Sequence, residues 1–157
     1  MTLQEGVAAP PVEATTDTGE KFSLARQKGK SVVLYFYPKA DTPGCTTEAC
    51  EFRDGIEEFK GINAEIVGVS PDAPKALAKF KQKYSLPFTL LADEDHSIAE
   101  AYGVWAEKSM YGKKYMGIER TTFIIDKDGK IVKVFNKVKP AGHAEEVKQA
   151  LSSLAAS

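Results

Sequence analysis

Residues 31 to 37, Ser-Val-Val-Leu-Tyr-Phe-Tyr, form an unbroken apolar run that stops at Pro38. A strand with one wet face alternates apolar and polar residues. An unbroken run of this length instead reads as a strand buried on both faces, inside a sheet that carries helices on its two sides. The rest of the chain must therefore supply covering layers.

It does so in alternation. A helix is expected from Pro43 to about Lys60, with Phe52, Ile56 and Phe59 at helical spacing. Glu65 to Val69 reads as a second buried strand. Ala73, Leu77, Phe80 and Tyr84 mark one face of a helix over 73–84. Phe88 to Leu91 reads as a third strand and Ser97 to Tyr102 as a short helix, while 103–119 shows no clear period and reads as a long loop. Thr121 to Ile125 and Lys130 to Phe135 form a hairpin about Asp126-Lys127-Asp128-Gly129. Val147, Ala150, Leu151 and Leu154 give a closing amphipathic helix. Two weak strands, near Val12 to Ala14 and Phe22 to Leu24, precede the apolar run. This order predicts an α/β fold, a thioredoxin-like sandwich with an N-terminal strand extension. At 157 residues the chain fits a single domain over 1–157.

Charge narrows the partners. Lysine plus arginine number 21 and aspartate plus glutamate 22, for a net charge of -1. That balance argues against a nucleic-acid binder, which needs a basic face. No stretch of about 18 apolar residues exists, and no basic-led apolar leader opens the chain, so a cytoplasmic protein without membrane contact is expected.

The chemistry rests on the two cysteines, Cys45 and Cys50. A close pair in a reducing compartment is more often catalytic or metal-binding than structural. The histidines, His96 and His143, are too distant and unpaired in spacing to complete a zinc site, so no metal is expected. Thr42 suits an N-cap and Pro43 the first helical position, which puts Cys45 in the first turn of a helix. Unpaired amides and the helix dipole there favour an anion, and the anionic form of cysteine is the nucleophilic thiolate. Thr42 can also offer its hydroxyl to the sulfur or to a bound oxygen. The competing reading is a small buried cysteine that opens a helix.

Pro38-x-x-x-Thr42-x-x-Cys45 matches the peroxiredoxin active-site signature. The longer string from Phe36 to Cys50 resembles the bacterioferritin comigratory protein, or Q-type, branch. The likeness continues through Gly103-Val104-Trp105, Gly117-Ile118-Glu119-Arg120 and Thr122-Phe123-Ile124-Ile125-Asp126. The resemblance implies a thiol-dependent peroxidase acting on hydrogen peroxide and organic hydroperoxides. In it Cys45 would be the peroxidatic cysteine, oxidised to a sulfenic acid. Cys50 would resolve that acid as an intramolecular disulfide, which thioredoxin or a similar dithiol reduces. Thr42 would contact thiolate and peroxide, Pro38 would shield the sulfenic acid, and Arg120 would be the family's arginine. A guanidinium there stabilises a thiolate and donates to peroxide oxygen; the plain alternative is a surface charge at a strand start. The resemblance implies no cofactor, and the branch implies a monomer. Arg53 is a second candidate arginine, read as supporting or structural. Glu48 is read either as orienting an arginine or as an ordinary acid of a helix's first turn.

Other features carry less. Asp126 to Gly129 looks like the start of a calcium loop, but its twelfth residue is Lys137 and not glutamate, so a turn is expected. Trp105, Tyr111 and Tyr115 could line an entrance or simply pack a loop. His96 is expected in an exposed turn, and Lys75, Lys79, Lys81 and Lys83 on a solvated helix face. Two other functions compete. A disulfide exchanger would use Cys-x-x-Cys, whereas the spacing here is Cys-x-x-x-x-Cys. A non-catalytic interaction domain or holdase has no positive support in the sequence. Consumption of hydrogen peroxide with a thioredoxin system separates the three.

Overall fold

The apolar run becomes strand β3 (Ser31–Phe36), an interior strand of a seven-stranded sheet. In the computed structural model, which describes residues 3–27 and 29–155, nine strands and five α-helices are found among those residues. The strands are β1 (Glu13–Thr16), β2 (Lys21–Ser23), β3, β4 (Ala64–Ser70), β5 (Thr89–Ala92), β6 (Trp105–Met110), β7 (Lys113–Ile118), β8 (Thr121–Ile125) and β9 (Ile131–Phe135). The helices are α1 (Pro43–Asp54), α2 (Ile56–Gly61), α3 (Pro74–Tyr84), α4 (Ser97–Ala101) and α5 (His143–Ala155).

The large sheet runs β2-β1-β5-β4-β3-β8-β9. β3 pairs parallel with β4 and antiparallel with β8, opposing Phe36 to Thr121. Successive side chains of β3 enter two different cores, as a doubly covered strand requires. Val33, Tyr35 and Tyr37 pack with α1, α2, α3 and α5 through Phe52, Phe59, Phe80 and Val147. Val32, Leu34 and Phe36 pack on the other face with Phe22, Ile98, Tyr102 and Phe123. The fold is thus the expected thioredoxin-like α/β sandwich, and the N-terminal hairpin β1–β2 extends the sheet by pairing β1 with β5.

Five local expectations need correction. The helix expected over 43–60 breaks at Gly55 into α1 and α2, because Gly55 leaves helical geometry at φ -97 and ψ 6. The loop expected over 103–119 contains a second sheet, the hairpin β6–β7. Tyr111 and Gly112 turn it with φ of 53° and 79°, the two positive angles of a type I′ turn. Its alternation is invisible in sequence because most of β7 is exposed, so there is no buried face to demand a period. His96 is not a plain exposed turn residue: its ring stacks on that of Trp105 at 3.9 Å. Tyr111 is 98% exposed and neither lines nor packs anything. Nor is the lysine face fully solvated, since Lys81 Nζ lies 3.0 Å from the buried Asp17 carboxylate. The Asp126 loop is the expected turn, with the Asp126 carboxylate accepting from the Asp128 and Lys130 amides.

Candidate active site

Because β8 runs antiparallel to β3, its start lies beside the end of β3. Cys45, just after β3, and Arg120, just before β8, therefore meet although 75 residues separate them. Cys45 is the third residue of α1 and is 1% exposed. Arg120 Nη2 donates to Cys45 Sγ at 3.3 Å, and Arg120 Nη1 donates to Glu48 Oε1 at 2.7 Å. One guanidinium thus serves a thiol and a carboxyl from successive turns of one helix, as i and i+3 spacing permits. The Val138 amide donates to the Arg120 carbonyl at 2.9 Å and holds its backbone.

Gly44 makes the approach possible. A Cβ built there would lie 3.2 Å from Arg120 Nη2 and 3.3 Å from Pro140 Cγ. Any larger residue would have to displace the arginine or the loop that closes over the helix start.

Pro38 is half-buried at the end of β3, and Tyr37 extends the sheet by donating to Val69 O at 3.0 Å. Thr42 has the extended backbone of an N-cap, but its side chain caps nothing. Its hydroxyl donates to Lys39 O at 2.8 Å, so in this conformation its proton is not offered to the sulfur. This corrects the side-chain cap expected of Thr42; a carbonyl three residues upstream captures the hydroxyl first. Arg53 stands apart from Cys45: its guanidinium bonds Tyr84 O at 2.7 Å and the Asp54 carboxylate at 3.0 Å. Cys50 is half-buried, and both thiols are free.

Glu48 is fully buried, and its Oε2 has no hydrogen-bond partner among the described residues. Burial pushes its carboxyl up to about 7, with the charge and hydrogen bond of Arg120 pulling the other way. The folded value exceeds the ordinary 4.5, so the folded protein holds a proton that the unfolded chain releases. Stability from this group is therefore full below about 4.5 and falls as pH rises toward 7, by on the order of 3 kcal/mol. Buried His143 opposes it: desolvation lowers its value, so its contribution grows as pH rises toward 6.5. Comparing Glu48→Gln with the parent cancels the histidine. Urea midpoints at pH 5 and pH 7.5 should move in favour of Glu48→Gln at the higher pH. Parallel pH dependences would show that Glu48 does not hold that proton.

The sequence does not single out Lys108, because its hairpin reads there as a loop. It is half-buried on β6, and burial, then the charge of Arg120, lowers its value, while Glu119 and Cys45 act to raise it. It adds a second cation to the surroundings of the sulfur.

Residues 6–134 match the family model described as AhpC/TSA family. Over 154 residues the chain is 52% identical to Peroxiredoxin Bcp of Bacillus subtilis (strain 168), covering 98% of each chain. It is 46% identical over 145 residues to Peroxiredoxin Bcp of Escherichia coli (strain K12), covering 92% of this chain and 93% of that one. Among solved structures it is similar to the bacterioferritin comigratory protein of Xanthomonas campestris, whose structures concern alkyl peroxide reduction. That likeness has a TM-score of 0.90 and 38% identity, over 97% of this chain and 99% of the other.

Proposed function

Because the chain belongs to the AhpC/TSA family, together with relatives named peroxiredoxins, we propose that it is a thiol peroxidase whose reacting atom is Cys45 Sγ. The observation that carries this reading is the Arg120 guanidinium 3.3 Å from a sulfur in the first turn of α1. A cation and a helix N-terminus both favour the thiolate there.

The thiolate attacks the terminal oxygen of a hydroperoxide. The O–O bond breaks, sulfur is oxidised to the sulfenic acid, and the alkoxide or hydroxide leaves and takes a proton. Arg120 stabilises the developing negative charge on peroxide oxygen. Pro38 limits access of a second peroxide, and the Thr42 hydroxyl turns from Lys39 O toward the bound peroxide. Cys50 then attacks the sulfenic sulfur, forming the disulfide and expelling water. Thioredoxin or a similar dithiol returns both thiols. The reading extends to a cytoplasmic monomer formed by one domain over 1–157. Among the described residues no helix is long and apolar enough to cross a membrane.

The resolving step demands a change of backbone. Cys45 and Cys50 both lie on α1. Five residues of helix separate their Cα atoms by about 8–9 Å on different faces, beyond the roughly 7 Å that a disulfide spans. The first turns must therefore open. Gly44, Thr46 and Thr47 are poor helix formers, and the Thr47 hydroxyl already bonds back to Pro43 O at 3.0 Å.

Mass spectrometry after one equivalent of hydrogen peroxide tests the whole reading, with a Cys45–Cys50 disulfide as the expected product. Cys50→Ser should retain one rapid oxidation, lose thioredoxin-linked turnover and pass more readily to the sulfinic acid. Amide exchange over 43–55 should accelerate in the disulfide form. Equal protection in both redox states would rule out the opening of α1.

A further inference from the structure

Both flanks of the segment that carries the cysteines are tied to the end of α3, the leading flank to Lys83 and Tyr84 and the trailing flank to Tyr84 alone. Ahead of α1, Asp41 stands in the left-handed region at φ 59. Its carboxylate accepts from Lys83 Nζ at 2.9 Å and from the Tyr84 hydroxyl at 2.8 Å. At the far end of α1, Arg53 Nη1 donates to the Tyr84 carbonyl at 2.7 Å. Lys83 and Tyr84 are the last two residues of α3. The Tyr84 ring is itself seated edge-on against Phe80, whose centroid is 5.5 Å away. The entry loop has a further anchor in Asp72, which accepts from the Ala40 amide at 2.8 Å and the Ser70 hydroxyl at 2.7 Å. Cys50 lies between the two ties, one helical turn ahead of Arg53.

We propose that Lys83 and Tyr84 act as a clasp that positions the Cys45–Cys50 helix and sets the rate at which Cys50 reaches an oxidised Cys45. This rests on the reading of Cys45 and Cys50 given above. The clasp bonds join α3 to residues on either side of the reacting sulfur and touch neither sulfur. Opening α1 strains or breaks them, so they weigh against the open form and not against the attack on peroxide.

The consequence is a competition. While the helix stays closed, the sulfenate can attack a second hydroperoxide, gaining one oxygen to become the sulfinate as the O–O bond breaks and an alcohol leaves. A tighter clasp thus slows the disulfide and favours the sulfinic acid at high peroxide. Lys83 and Asp41 are half-exposed, at 58% and 43%. Exposed ion pairs are weak, so losing this one should shift the opening equilibrium about two- to fivefold.

The test is a peroxide pulse on the full-length protein, quenched at intervals, with mass spectrometry counting sulfenic acid, disulfide and sulfinic acid. Lys83→Met and Tyr84→Phe should form the disulfide about two- to fivefold faster than the parent. They should need correspondingly more peroxide to reach the same sulfinic fraction, at an unchanged rate of first oxidation. Lys83→Arg keeps the ion pair and should match the parent. The clasp is refuted if Lys83→Met resolves at the parental rate, or if Lys83→Arg shifts as far as Lys83→Met. A parent protein that forms no Cys45–Cys50 disulfide would instead overturn the reading of Cys50, and the clasp with it.

Discussion

Cys45→Ser is expected to leave a folded protein that consumes no hydrogen peroxide above the uncatalysed rate. Serine is slightly smaller than cysteine and keeps a hydrogen-bond acceptor for Arg120 Nη2, which lies 3.3 Å from the sulfur in the parent. The site is 1% exposed and surrounded by side chains of the α1 core, so the cost in stability should stay within about 1–2 kcal/mol. The chemistry, by contrast, needs a polarisable thiolate, and an alkoxide is not available from serine at neutral pH without a base. Thermal melting and peroxide consumption, measured on one preparation, separate the two effects. Turnover retained in this variant would remove Cys45 from the reaction.

Arg120→Met should be the second largest loss. Its guanidinium is the group that touches both Cys45 Sγ and Glu48 Oε1. Removing one preorganised donor from a developing oxyanion costs about 10²–10³ in rate, and the peroxide step should slow on that scale. A structural penalty complicates the variant, because it strips the partner from a buried carboxyl. The double substitution Arg120→Met with Glu48→Gln replaces that carboxyl with a neutral amide and should recover stability without recovering rate. Arg53→Met should slow the peroxide step far less, since its guanidinium bonds Tyr84 O and Asp54, not the sulfur. A larger loss of rate for Arg53→Met than for Arg120→Met would mean that the wrong arginine has been assigned.

The two largest effects differ in how visible they are along the chain. Cys45 announces itself locally: Thr42, Pro43 and Cys45 in that order place a cysteine at a helix start, and local backbone preference suffices to say so. The doubly buried strand over 31–37 is equally local, because burial on both faces leaves no polar position after Ser31. From these, the α/β order of elements follows without any contact being known. The hairpin β6–β7 is not legible in the sequence for the opposite reason. Its strands have little buried face, so nothing imposes a period of two, and its turn uses Tyr111-Gly112 in place of the usual Asn-Gly.

What the amino-acid order determined, then, is whatever adjacent residues decide among themselves: the buried strand, the helix start beneath Cys45, and the five-residue spacing to Cys50 that no intact helix can bridge. The tertiary structure decided the rest. Arg120 and Glu48 look like an ordinary strand-start charge and an ordinary helix acid until antiparallel β8 brings one above the other across 72 positions. The proton on Glu48, the seat that Gly44 leaves for the guanidinium, and the bonds from Lys83 and Tyr84 to both flanks of α1 depend on desolvation and on distances of a few ångströms. Such quantities exist only once the sheet has set which ends of its strands are neighbours.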